Sequence, residues 1–410
     1  MFKKFNENER AWIFYDVGNS AFTMMTSTII PLWFNSLATD SSLSSSQYLA
    51  YWSYATSIAT VLVAILGPIL GTMADNKNFK KPMFQFVLAG GIIGCALLGI
   101  VPNWLLYLAT YVIAKVCYQS SIVIYDSMLT DITTPERMDL VSSQGFAWGY
   151  IGSCIPFLAA LVLYLLGTKD IIPLKLAILL DFLLVAVWWF WVTIPLLRTY
   201  KQNNYVENSG GKIQAAFIRL GATLKDIYKN EKKVLFFLIG FFFYIDGVST
   251  IIDEAVAIGT ALGLGQVGLL VVLLLTQVVA FAFATLFSKL TEKYENSFLI
   301  SVCIGGYIFV AIYALFMHTL WQFGIMAFIV GMFQGAIQAL SRSYYAQIIP
   351  AETSGEYFGL YDICGKGAAF MGTTLVGFAV SITHSVNIAV GTLAILFILG
   401  FIFLRKSAAL

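Results

Sequence analysis

The sequence predicts an all-α membrane protein with twelve transmembrane helices in two pseudo-symmetric six-helix bundles. Of its 410 residues, 59% are hydrophobic and only 11% are charged, whereas soluble domains carry about 25% charged residues. Its apolar segments are long enough to cross a bilayer, which takes ~20 helical residues. One polar interval divides these segments into two sets of six, which predicts the two bundles.

The spans follow one another with short connections. They are expected at residues 12–37, 48–73, 82–102, 104–130, 141–166, 173–197, 234–262, 265–290, 297–317, 320–346, 355–383 and 386–404. An N-terminal bundle at 1–197 and a C-terminal bundle at 234–410 flank a linker at 198–233. The linker is predicted to hold a basic amphipathic helix along the inner leaflet, acting as a surface-lying linker or a regulatory element. Its apolar residues recur with helical spacing: Ile213, Phe217, Leu220, Leu224 and Ile227.

Lysine and arginine concentrate on one side of the predicted topology. They cluster at the N-terminus, in the second–third loop, in the linker and at the C-terminus. The positive-inside rule then predicts that both termini are cytoplasmic. The short termini favour the plasma membrane of a prokaryote. We also expect a monomer. Because no basic tract exists, we expect no nucleic-acid partner. Because the spacing of ligand residues is absent, we expect neither a cofactor nor a metal site.

Polar side chains form stripes along the first, fourth, seventh and tenth spans, which line the central cavity in inverted-repeat transporters. An ionisable group at mid-bilayer costs at least ~2.5 kcal/mol unless it faces protein or water, so these stripes predict a substrate or coupling-ion site. Some members can instead form interhelical hydrogen bonds or structural ion pairs. The adjacent Asp253 and Glu254 diverge around the helix, so only one can face the cavity. The candidates are Asp16, Asn19, Ser20, Lys115, Gln119, Asp126, Tyr244, Asp246, Asp253, Glu254, Gln334, Gln338 and Arg342.

A second set of residues resembles a known loop motif. The run from Gly67 through Gly71 to Asp75, followed by Lys80 and Lys81, is similar to the motif after the second span of the major facilitator superfamily, which helps close the cytoplasmic side. Asn76, Asn78 and Phe79 stand where Arg, Gly and Arg are usual, so the strength of the charge network is in question. The resemblance implies gating roles for Gly71, Asp75, Lys80 and Lys81.

Two further gate candidates, Asp362 and Lys366, lie four residues apart in the eleventh span. They can pair with each other. By analogy with the superfamily, Asp362 can instead meet the basic loop around Lys80 when the inner side closes, and we expect this second arrangement.

The run from Trp12 to Phe22 resembles the W-x-x-Y-D-x-x-N-S-A-F opening of the "unknown major facilitator" family, which is related to the fungal vacuolar effluxers of autophagy. Blocks beginning at Tyr125, Tyr244 and Gln334 are similar as well. The resemblance implies a major facilitator fold and, for the fungal relatives, efflux of amino acids.

We therefore expect a secondary transporter that moves a small polar solute, an amino acid, by alternating access, driven by protons or by a solute gradient. Asp16, Asp246 and Asp253 are candidate proton sites, and Lys115 and Arg342 would face an anionic substrate group. Alternatives are a lipid or glycolipid flippase, whose tail path aromatic rings would border, and a non-transporting solute sensor. We do not expect an enzyme, because the sequence has no Walker, H-E-x-x-H or G-x-S-x-G motif.

Overall fold

The structure is a computed structural model that describes residues 4–207, 213–253, 255, 258–259 and 266–410. Within these residues the chain is helical apart from short connections and one isolated bridge between Asn76 and Val206. A 3₁₀ turn at Ala351–Thr353 precedes α14. The helices are α1 (Glu7–Thr26), α2 (Ile29–Asp40), α3 (Ser45–Ala74), α4 (Lys80–Leu98), α5 (Trp104–Ser127), α6 (Leu129–Ile132), α7 (Pro135–Thr168), α8 (Leu174–Thr199), α9 (Ile213–Lys229), α10 (Lys232–Asp253), α11 (Gln266–Leu290), α12 (Asn296–Ala314), α13 (Leu320–Ile348), α14 (Ser354–Thr383), α15 (Val386–Gly391) and α16 (Ala394–Ala408).

In the described part of the chain, eleven helical segments are long and apolar enough to cross a membrane. The pairs α5–α6 and α15–α16 each form one of these segments. The first span is absent from this set because α1 carries charged residues at its start as well as its polar stripe, and α2 alone is too short. Together α1 and α2 supply it, so the predicted all-helical membrane fold is confirmed.

The first span is broken, whereas the sequence analysis predicted one helix over 12–37. α1 ends at Thr26 and α2 begins at Ile29. Pro31 has no N–H to bond the carbonyl four residues earlier, and the Thr28 hydroxyl donates to the Met24 carbonyl at 2.6 Å. These two features interrupt the helical ladder. The predicted seventh span runs to residue 262, but α10 ends at Asp253 and most of the remainder lies outside the described residues.

The two halves repeat one tertiary contact. In the N-terminal half, the hydroxyl of Tyr15 on α1 lies 2.7 Å from the hydroxyl of Ser121 on α5. In the C-terminal half, the hydroxyl of Tyr244 on α10 lies 2.6 Å from the hydroxyl of Ser341 on α13. Both pairs join the first and fourth spans of their half, and all four residues are buried. The repeated contact supports the predicted pseudo-symmetry.

The first and last described residues, Lys4 and Leu410, lie toward the face of the bundle that also carries the linker, and we call this face the terminal face. Arg137 at the start of α7 donates to the Lys4 carbonyl at 3.0 Å. Ser407 near the end of α16 donates to the carbonyl of Lys233, at the start of α10, at 2.8 Å. The linker itself is held by hydrogen bonds: Val206 donates its N–H to the Asp75 carbonyl at 2.8 Å. Its helix α9 packs against α3 and α10.

Candidate functional site

Arg342, on α13, is the centre of a buried ion cluster that joins the two halves of the chain. Its Nη1 donates to Asp126 Oδ1 at 3.0 Å, and its Nη2 donates to Asp16 Oδ2 at 3.1 Å. Its Nε donates to the Ser142 hydroxyl at 2.9 Å, and Nη2 also reaches the Ser142 carbonyl at 3.1 Å. Arg342 belongs to the C-terminal half and its three partners to the N-terminal half. The cluster is therefore an ionic contact between halves.

Aromatic rings cover this guanidinium on both sides. Its Cζ lies 4.5 Å from the Trp12 ring centroid and 4.3 Å from that of Phe146, within the range of cation–π attraction. A side chain at Gly145 would collide with the Asp16 carboxylate, so glycine there allows α7 to approach the cluster closely. The arrangement keeps the charges away from lipid.

Asn19 and Ser20 serve the packing of α1. The Asn19 amide donates to the Tyr15 carbonyl at 3.0 Å and to Asp16 Oδ1 at 3.3 Å. A Cβ on Gly149 would lie 2.9 Å from the Ser20 hydroxyl, so α1 and α7 are in close contact there. The Asn19 amide therefore helps to hold Asp16 in position toward Arg342.

Asp246, on α10, differs from Asp16 in having no cation beside it in the described structure. Its Oδ1 accepts the Gly372 N–H of α14 at 3.0 Å and the Thr250 hydroxyl at 3.5 Å. Its Oδ2 is buried without a hydrogen-bond partner among the described residues. The residue has no exposed surface, and an ionised carboxylate left in this state is costly. Asp246 is thus a buried carboxyl group whose charge is not compensated.

Lys115, on α5, lies between the polar stripes of three spans. Its ammonium is 5.8 Å from the Tyr118 ring centroid, and it is close enough to Lys366 on α14 and Asp253 on α10 for electrostatic interaction. None of the ion pairs among the described residues includes Lys115. The half-buried ammonium thus lies near both a cation and an anion of neighbouring spans.

The remaining stripe residues occupy varied surroundings. Gln334 is buried on α13 and lines a small cavity with Thr276 and Gln277, whereas Gln119 and Gln338 are half-buried. Asp253 is exposed at the end of α10, and Glu254 lies outside the described residues. In the described part of the chain, no group of three or more His, Cys, Asp or Glu side chains could hold a metal ion.

The motif residues close the terminal face. Asp75, just beyond α3, accepts the Gly355 N–H at 2.7 Å and the Glu356 N–H at 2.9 Å. These amides belong to the first turn of α14, where the helix dipole favours a negative charge. Gly71 and Gly355 leave no room for a side chain, because a Cβ on either would collide with the other's backbone. The ends of α3 and α14 are thus in direct contact.

Lys80 also contributes to this contact, but it does not bind Asp362 as expected. Its ammonium reaches the Ser354 hydroxyl at 3.0 Å, Asp131 Oδ2 at 3.4 Å and Asp75 Oδ1 at 3.8 Å. Asp362 instead pairs with Lys366 on its own helix. The expected contact between Asp362 and the basic loop is therefore wrong for this state, because the four-residue helical spacing supplies a nearer cation.

Lys81 makes one weak contact at this face: its ammonium donates to the Tyr200 carbonyl at 3.4 Å. Asp139 on α7 makes a further contact between the halves. Asp139 accepts the Asn296 amide at 2.5 Å and the Gln347 amide at 3.0 Å. The contacts across the terminal face thus include those between α3 and α14 and those between α7 and the ends of α12 and α13.

Comparison with known proteins identifies the family. The family described as "Vacuole effluxer Atg22 like" matches residues 43–407. The chain belongs to this family. The uncharacterized MFS-type transporter YxiO of Bacillus subtilis is 40% identical over 98% of this chain and 95% of its own length. Autophagy-related protein 22 of Eremothecium gossypii is 25% identical over 80% of this chain and 71% of its own length.

Solved structures show the same fold at low identity. The major facilitator superfamily transporter FucP, in the outward conformation, matches with a TM-score of 0.73 at 14% identity over 98% of this chain and 97% of its own. The human organic anion transporter MFSD10 matches with a TM-score of 0.70 at 12% identity, over 97% and 99%. This Atg22-like chain is therefore a multi-pass membrane transporter of the major facilitator type.

Several site residues of this Atg22-like chain escaped the sequence analysis. Ser142 binds Arg342, Asp131 binds Lys80, and Glu356 binds Arg219 of the linker helix at 2.7 Å. Asp131 and Glu356 lie at helix ends, where carboxylates are common and therefore do not indicate a special role. Arg219 lies on the polar side of α9, where only tertiary structure reveals its partner.

Proposed function

We propose that this Atg22-like transporter is a proton-coupled secondary transporter of a small zwitterionic solute, namely an amino acid. The halves 1–197 and 234–410 rock about a central site, and 198–233 joins them. The terminal face is the cytoplasmic side of a plasma membrane, and a single chain is sufficient. The closed terminal face suits an outward-facing state, the conformation in which FucP was solved.

The ion cluster of Arg342 supports the rocking movement. Arg342 and its partners Asp16 and Asp126 lie in opposite halves, so the halves cannot separate on the terminal side without breaking these pairs. Because two carboxylates already bind the Arg342 guanidinium, it is less available to an anionic substrate group than the sequence predicts. In this proposal the ion pairs of the cluster stabilise the outward-facing state.

The proposal is carried by one observation: Lys115 and Asp246, of opposite sign, both lack an ion-pair partner among the described residues. A zwitterion offers a carboxylate for Lys115 and an ammonium for the carboxylates of α10. A neutral hydrophobe would offer neither group an ionic partner. Opposite charges on α5 and α10 therefore favour an amino acid over a lipid tail.

Asp246 is the proposed proton site. Asp16 and Asp126 are held by Arg342, whereas one oxygen of Asp246 is buried without a partner. Proton uptake removes the cost of burying this charge. When the terminal face opens, water that reaches α10 would solvate the ionised carboxylate of Asp246. The proton could then leave on that side. Such a cycle couples proton movement to the rocking of the halves.

Ligand-induced thermal stabilisation tests the substrate class. A ligand at a hundred times its Kd raises the free energy of unfolding by about 2.7 kcal/mol. We expect neutral amino acids to raise the melting temperature of the purified protein, and their methyl esters, which lack the carboxylate, not to do so. Lys115→Ala should abolish the shift, and Lys175→Ala, an exposed lysine on α8, should leave it unchanged.

Two other outcomes would favour the alternative functions, a lipid flippase or a solute sensor. Stabilisation by lysolipids alone would contradict the amino-acid substrate and favour the flippase. The rings considered for a tail path are divided: Trp189 and Phe241 are buried in the bundle, and Trp191 is 68% exposed. Binding of an amino acid without flux in proteoliposomes would identify a sensor.

A further inference from the structure

We infer that the outer face of α9 binds the anionic headgroups of the adjacent membrane leaflet, and that this contact keeps the terminal face closed through Arg219. The inference goes beyond the proposed function, because it holds whatever solute is carried. It rests on the three faces of α9 and on the position of Arg219 between the two halves.

The inner face of α9 is fixed to the bundle. Ala216 and Ile227 are only 5% and 3% exposed, and α9 packs against α3 and α10. The helix is therefore a docked element of the terminal face.

A second face of α9 carries an exposed apolar row. Phe217, Leu224 and Tyr228 follow one another at i, i+7 and i+11, which places them on one side of the helix. They are 52%, 49% and 66% exposed. An apolar row of this kind beside a bilayer is suited to the boundary between headgroups and acyl chains.

A basic edge borders the apolar row. Lys225 and Lys229 are exposed about a quarter turn away around the helix. Lys232, also exposed, begins the membrane-spanning α10 three residues after α9 ends. The end of α9 is therefore tethered to the point where a span enters the bilayer. Each lysine at an anionic leaflet strengthens association by about fivefold, so charge complementarity selects anionic lipid as the partner.

Arg219 connects this surface to the closed face. Its Nε donates to Glu356 Oε2 at 2.7 Å, and its Nη2 donates to Asp75 Oδ2 at 3.2 Å. Asp75 follows α3 in one half, Glu356 begins α14 in the other, and both are fully buried. Opening the terminal face separates these carboxylates and withdraws the guanidinium. Lipid contacts that hold α9 in place oppose this separation.

The test measures the opening of the terminal face in two bilayers. Spin labels at Asn78→Cys and Glu352→Cys, exposed positions on opposite halves, report the distance across the closure in a full-length background whose native cysteines are replaced by alanine. The protein is reconstituted in phosphatidylcholine alone or with equal parts of phosphatidylglycerol. We expect the short-distance population, relative to the long one, to rise several-fold with phosphatidylglycerol, up to about fivefold per lysine.

Three variants decide the outcome. Lys225→Gln/Lys229→Gln and Phe217→Ser/Leu224→Ser should each reduce the response to phosphatidylglycerol, and Arg219→Gln should remove it even though the lipid-binding face is intact. Lys169→Gln/Lys175→Gln, two exposed lysines that flank the loop between α7 and α8, is the charge-matched control and should respond like the wild type. Equal populations in the two bilayers would overturn the inference. An undiminished response in Lys225→Gln/Lys229→Gln, or an equal loss in the control, would overturn it as well.

Discussion

The carboxylate of Asp75 accepts the backbone N–H of Gly355 across the boundary between the two halves, at 2.7 Å. The residues are 280 positions apart in the chain. The bond places a negative charge at the first turn of α14, where it is favoured by the helix dipole. With the N–H of Glu356, which the same carboxylate accepts at 2.9 Å, this bond holds α3 against α14, so Asp75 is central to the closed terminal face.

Acidification should favour the closed terminal face through Asp75. Burial raises the pKa of this carboxyl from 3.8 to about 6, although Lys80, Arg219 and two backbone N–H groups oppose the rise. On opening, Asp75 meets water and its pKa falls toward the ordinary value. The closed state therefore binds a proton that the open state releases, so its relative stability is greatest below the ordinary pKa and is lost as the pH rises through about 6.

The measurement is the spin-label distance across the terminal face between about pH 8 and about pH 5. We expect the closed population to grow as the pH falls. In Asp75→Asn that pH response should be absent, because the amide does not titrate. A wild-type population that opens on acidification would contradict the assignment.

Loss of the Arg342 guanidinium should destabilise the protein strongly. Arg342→Gln leaves Asp16 and Asp126 buried without their cation, and breaking a buried ion pair costs about 3–5 kcal/mol. Thermal unfolding in detergent measures the change. Arg10→Gln, at an exposed position of α1, should change the free energy of unfolding by less than about 0.5 kcal/mol.

A combined variant separates charge from packing. Arg342→Gln/Asp16→Asn/Asp126→Asn removes the uncompensated carboxylates and should recover much of the lost stability, since the deletions are coupled. If the triple variant unfolds at the same temperature as Arg342→Gln alone, the cluster is not held by ionic pairing.

Gly372 should not tolerate a methyl group. A Cβ there would come within 2.9 Å of the Asp246 Oδ1 and would collide with the Thr250 hydroxyl. Gly372→Ala should therefore destabilise the protein by about 1–3 kcal/mol and disturb the surroundings of Asp246. Gly377, on the same helix, has open space around its Cβ position, and Gly377→Ala should be neutral or stabilising by up to about 1 kcal/mol. Equal melting temperatures for the two variants would refute the close packing at Gly372.

The sequence was sufficient for the fold and for the polar faces of the spans. Hydrophobic length predicts the helices, and helical periodicity places Asp16, Asp126, Asp246 and Arg342 toward the interior. Periodicity identifies the face of a helix but not the partner across it. It therefore could not reveal that Arg342 neutralises Asp16, which is 326 residues away, while Asp246 remains uncompensated.

The errors have local and non-local causes. Pro31 was a readable sign that the first span is interrupted, because proline ends a helical ladder. The sequence offered two partners for Asp362, namely Lys366 four residues later and the distant loop around Lys80. The structure pairs Asp362 with Lys366. Arg219 had no local signal, since its two carboxylates, Asp75 and Glu356, come from different halves.

Proton-driven uptake in proteoliposomes tests the central claim, that Asp246 couples protons to the transport of an amino acid. The solute is one that stabilises the wild-type protein, and uptake is compared with and without an inward proton gradient. We predict accumulation by the wild type that requires the gradient. Asp246→Asn should lose this accumulation and keep exchange of labelled for unlabelled solute. Asp181→Asn, which alters a fully buried carboxyl group on α8, is the control and should accumulate like the wild type. Gradient-driven accumulation by Asp246→Asn at the wild-type level would contradict the claim.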